Sequence, residues 1–91
     1  MDNKNQKIPE VQPRDWITIG TGMGVNAVVC QINKPGNVEV VYLDGSRAIN
    51  EDAIWKNEHW EFKKQGPCGG YADNYQRLSD FVAILRRGRY R

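Results

Sequence analysis

Between Gly20 and Phe62, short apolar-rich runs alternate with polar clusters built on Gly, Pro, Asn and Asp, the rhythm of a small, tightly turned β-barrel. Asp15 to Ile19, DWITI, places Trp16 and Thr18 on one side and Ile17 and Ile19 on the other, which suits a first strand. The loop Gly20-Thr21-Gly22-Met23-Gly24 turns the chain into a second strand, Val25 to Ile32. In the cluster Asn33-Lys34-Pro35-Gly36-Asn37, proline fixes φ and glycine is free to take a positive φ, so a hairpin follows. Val38 to Leu43 is the third strand, closed by Asp44-Gly45, a dipeptide suited to a type I′ turn. Arg47 to Ile49 begins the fourth. Asn50-Glu51-Asp52 is then expected to form a short 3₁₀ turn or bulge before Ala53-Ile54-Trp55. Asn57-Glu58 serves as a two-residue hairpin loop that sets Trp55 opposite Trp60 and His59 opposite Lys56.

Past the loop Gln65 to Gly70 the period changes. Tyr71, Tyr75, Leu78, Phe81, Val82 and Leu85 recur at helical spacing, and Gly88 is a natural residue to end a helix after Arg86 and Arg87. The pattern predicts a helix over residues 72–87.

Strand three is apolar on both faces, with Val38, Val40 and Tyr42 alternating with Glu39, Val41 and Leu43. Strand two repeats this, with Val28, Cys30 and Ile32 on one side and Val25, Ala27 and Val29 on the other. A strand with one wet face does not look like that, so something covers the outside of the barrel. The C-terminal helix is the simplest cover, through Tyr75, Leu78, Phe81, Val82 and Leu85. A second copy of the chain, making a homodimer in place of a monomer, is the alternative. The expected class is mainly β (α+β): a five-stranded barrel with a C-terminal α-helix packed on its outer face.

With 91 residues the chain is one domain, too small for a large catalytic cavity. It divides into a flexible leader (1–13), the barrel (14–64), and a Gly-rich loop, helix and arginine-rich tail (65–91). No apolar run is long enough to span a membrane, and the polar start MDNKNQKIPEVQP lacks the apolar stretch of an export signal. A cytoplasmic protein is expected, with Cys30 and Cys68 as free thiols. Net charge is only +2, yet unevenly placed. Residues 1–70 hold eight Lys or Arg against nine Asp or Glu (−1), whereas residues 71–91 hold five Arg against two Asp (+3).

The succession Gly-x-Gly-x-Gly-Val, a β-branched strand, then Val-x-Val-x-Tyr-x-Asp-Gly resembles Tudor and KOW domains and other SH3-like barrels, over Asp15 to about Phe62. It is also similar to the Tudor-like module at the end of some bacterial helicases. Tudor domains that read methylated lysine or arginine use an aromatic cage with an acidic or amide residue at one barrel end. Here Tyr42 and Asp44 match the positions after strand three, while Met23 stands in the first loop where a cage has an aromatic. KOW-type barrels use this face for RNA or protein contacts.

Other chemistry is thinly represented. The run GTGMGV superficially matches a nucleotide-binding loop but leads into a strand, where the dinucleotide and Walker loops lead into a helix. Two separate cysteines and one histidine offer no metal-ligand spacing, and no metal or cofactor is expected. His59 with Cys68 is the one candidate pair for a thiol-dependent enzyme or redox protein, since Cys30 lies inside a strand. Arg86, Arg87, Arg89 and Arg91, with Tyr90 among them, form either a solvated helix end or a phosphate-binding surface with a stacking ring. The expected function is a non-enzymatic binding module that contacts a protein or a nucleic acid through Met23, Tyr42, Asp44 and the arginine end.

Overall fold

The computed structural model describes residues 8–63 and 70–89. Among them, five strands close a barrel: β1 (Trp16–Ile19), β2 (Val25–Lys34), β3 (Asn37–Asp44), β4 (Arg47–Lys56) and β5 (His59–Phe62). Neighbours β1–β2, β2–β3, β3–β4 and β4–β5 are antiparallel. A single parallel pair, Ile19 with Trp60, closes the ring between β1 and β5. A two-residue strand β6 (Gly70–Tyr71) lies outside it on β4, and α1 (Ser79–Arg87) follows. This is the five-stranded barrel with a C-terminal helix that the alternation implies, and its architecture is consistent with an SH3-like barrel.

The turns carry the topology. At the β4–β5 turn both Asn57 (φ 55°) and Glu58 (φ 66°) are left-handed, as a type I′ turn requires, and Trp55 faces Trp60 with ring centroids 5.4 Å apart. Lys56 pairs with His59. The β3–β4 turn differs from expectation. Asp44 pairs with Arg47, so the central residues are Gly45 and Ser46, and only Gly45 has positive φ (65°), the pattern of a type II′ turn. Gly24 is fixed more tightly: a Cβ there would lie 2.5 Å from Thr18 Cγ2 and 2.9 Å from the Ile19 carbonyl oxygen, at φ +63°.

Two further expectations are corrected. No turn interrupts β4 at Asn50-Glu51-Asp52. The strand pairs with β3 without a break from Arg47 to Ile54, because the long partner strand offers a continuous ladder for its backbone groups. Ile32 also changes sides. The β2–β3 register slips between Val29 and Gln31, so Cys30 is an extra bulge residue and Ile32 pairs with interior-facing Val38 instead of sharing the face of Val28 and Cys30.

The two-faced strands bury two cores. Ile17, Ile19, Ala27, Val29, Val38, Val40, Ala53 and Trp60 fill the barrel. Outside it, Val28, Cys30, Val41 and Ala48 meet Ala72, Leu78, Val82 and Leu85, with Phe81 partly buried beside them, so the helix is indeed the cover. It starts later than its periodicity predicts. Two 3₁₀ turns, Ala72–Asn74 and Gln76–Leu78, precede α1, and Tyr75 between them is extended (φ −117°, ψ 114°). Tyr71 is held in β6 against Ile49 while Ala72 is wholly buried, so the chain bends across the barrel before it can wind. Tyr71 and Tyr75 are consequently exposed, not docked. Gly88 ends α1 as expected, its N–H donating to the carbonyls of Ile84 and Leu85 at 3.2 Å. Within the stretch read as leader, Val11 packs against the barrel core. No helix among the described residues is long and apolar enough to cross a membrane.

Candidate functional site

Strand register decides which loops share an end of the barrel. Ile19 pairs with Val25, Ala27 with Tyr42 and Asp44 with Arg47, so the Gly20–Gly24 loop and the Gly45–Ser46 turn project from the same end. The C-terminus of α1 reaches that end too. Arg86 Nη1 donates to the Ser46 carbonyl (3.2 Å), and Arg89 Nη1 donates to Thr18 Oγ1 (2.9 Å) and Asn26 Oδ1 (3.0 Å). Met23, Asp44, Arg86, Arg87 and Arg89 therefore belong to one region, although more than sixty residues separate the first from the last. Met23 is 98% exposed at its tip. Tyr90 and Arg91 lie outside the described residues, as does Cys68.

Gathering is not the same as availability. Arg86 also holds Asp73 at 3.0 Å, and Arg89 bridges β1 and β2 through the two contacts above. Arg47 donates to the Tyr71 hydroxyl at 2.9 Å and lies 5.4 Å from its ring centroid. Arg77, which nothing in the local pattern singles out, makes a bidentate pair with Glu39 at 2.7 and 3.0 Å. The Arg77 guanidinium lowers the Glu39 carboxyl from its ordinary value, against the opposing effect of burial. These arginines hold the C-terminal segment onto the barrel. Of residues 86, 87 and 89, Arg87 alone has neither hydrogen bond nor ion pair among the described residues.

Inside the same barrel stands an acid with the opposite character. Glu51 pairs with Val40 on β3 and is buried with 9% exposure. Its Oε1 accepts a hydrogen bond from the Tyr42 hydroxyl at 2.9 Å, while its Oε2 is buried and finds no donor among the described residues. The Tyr42 ring packs against Phe62 at 4.7 Å between centroids, tilted by 45°. Both rings are half-buried. The expected turn at Asn50-Glu51-Asp52 hid this site from sequence reasoning. Read as one strand, Ile49, Glu51, Ala53 and Trp55 share a face, and a glutamate among them stands out.

The thiol candidates look different in place. Burial pushes the Cys30 thiol up to about 12, and its Sγ lies 3.8 Å from the Val28 carbonyl within the outer core, an environment that disfavours the thiolate. His59 has both ring nitrogens engaged, Nδ1 3.0 Å from the Asn57 carbonyl and Nε2 2.6 Å from Glu61. Among the described residues no three His, Cys, Asp or Glu side chains gather where they could hold a metal ion.

Compared with family models, with curated proteins and with solved structures, the chain finds no match. Its geometry is therefore the basis for any functional reading.

Proposed function

We propose that this chain is a non-enzymatic binding module that takes a basic side chain of a protein partner against Tyr42, Phe62 and Glu51, with Met23 and Asp44 on the flanking loops. The observation that carries the reading is the Glu51 carboxylate, which binds the Tyr42 hydroxyl through Oε1 and has no donor at Oε2 among the described residues, with the Tyr42 ring packed on that of Phe62. A buried carboxylate oxygen without a donor costs free energy, and a cation beside it recovers part of that cost. Aromatic faces attract the same cation, adding about 0.5–2 kcal/mol. The resemblance to Tudor barrels implies a cage of this chemistry; in this chain Phe62 would supply the aromatic that the first loop, with Met23, lacks, and Glu51 the acid expected of Asp44. A nucleic-acid partner is less well supported, because the described arginines at this end, Arg87 apart, have contacts of their own.

Titration of the labelled protein with short lysine and arginine peptides, methylated and unmethylated, followed by NMR, tests this. Shifts centred on Tyr42, Glu51 and Phe62 that vanish in Glu51→Gln are expected. Saturating peptide that leaves those resonances unmoved rules the cation reading out. Fast alkylation of Cys68, beyond the rate of a model thiol, would redirect attention to thiol chemistry with His59.

A further inference from the structure

We draw no further inference here: the strongest candidate, the apolar groove of about 420 Å³ that Ile8, Val11, Ile32 and Pro35 line beside the β2–β3 turn, is an unpartnered face with nothing in the structure to show what covers it.

Discussion

The arginine-rich end and the barrel interior hold charge in opposite ways. Five arginines in the last 21 residues dominate any charge profile of the chain, yet Arg77, Arg86 and Arg89 all have partners in the fold. Glu51 is one acid among eleven and is invisible to such a profile, yet one of its oxygens is buried with no donor among the described residues. A charge therefore becomes informative when its contacts are counted, because a paired guanidinium has little left to offer a ligand. Arg77, Arg86 and Arg89 act as ties between the C-terminal segment and the barrel.

The largest effect expected from this contrast is on the helix that the arginines tie down. Leu85 is 4% exposed in the outer core, so Leu85→Asp removes its apolar burial and places a charge against Val28 and Val41. A loss of at least about 3 kcal/mol is expected in urea denaturation. An unchanged midpoint would show that α1 is not docked and that its arginines have nothing to hold.

Glu51 sharpens the other side. Glu51→Gln keeps an acceptor for the Tyr42 hydroxyl and removes the buried charge, so stability should hold or rise by about 1 kcal/mol. Affinity for a cationic peptide should meanwhile fall about tenfold or more, roughly 1.4 kcal/mol. A clear loss of stability with no loss of binding would mean that the carboxylate is a structural group, and the contrast with the arginines would disappear.

How much of this was legible beforehand depends on whether the signal was local. The Asn57-Glu58 turn and the Trp55–Trp60 pair follow from adjacent residues, and the apolar second faces of β2 and β3 called for a cover that α1 provides. What was missed involves a partner strand. The continuity of β4 depends on the β3 ladder, and the bulge at Cys30 that moves Ile32 off the outer face, to pair with Val38 while staying exposed, is a matter of register. Tyr75 misled for a related reason: its helical spacing was real, but β6 and buried Ala72 pinned the chain ahead of it. The Glu51 site needed the first of these and so could not be read from Asn50-Glu51-Asp52 alone.

Arg89→Ala should cost about 1 kcal/mol, since it leaves Thr18 and Asn26 to rearrange at the β1–β2 edge. Hydrogen exchange of the α1 amides, faster in the variant, would locate the loss. A smaller effect is expected at Glu39, whose lowered folded-state value makes the Arg77 pair stabilising above the ordinary carboxylate value of about 4.5 and lost as pH falls through the folded value. Arg77 is more than half exposed, so the screened contribution should not exceed about 1 kcal/mol. Arg77→Ala should accordingly flatten the acid-side decline of stability and leave the slope near neutral pH unchanged. An equal loss at every pH would point to packing in place of charge.

The smallest expected effect concerns Arg87, and it tests the comparison from the nucleic-acid side. Because Arg87 is exposed and has no side-chain partner among the described residues, Arg87→Ala should change stability by less than about 0.5 kcal/mol. If duplex DNA binds at this end while Arg86 and Arg89 keep their contacts, at most Arg87 and Arg91, the latter outside the described residues, are left of the tail arginines to neutralise phosphates. Fluorescence anisotropy against salt should then give log K falling with log salt at a slope no steeper than about −2. All four tail arginines acting together would give roughly −3 to −4. A slope in that steeper range would mean that Arg86 and Arg89 leave Asp73, Ser46, Thr18 and Asn26 to meet the nucleic acid, and α1 would show faster hydrogen exchange when DNA is bound. In that case the tail would be the binding surface, and the half-paired Glu51 only a feature of the core.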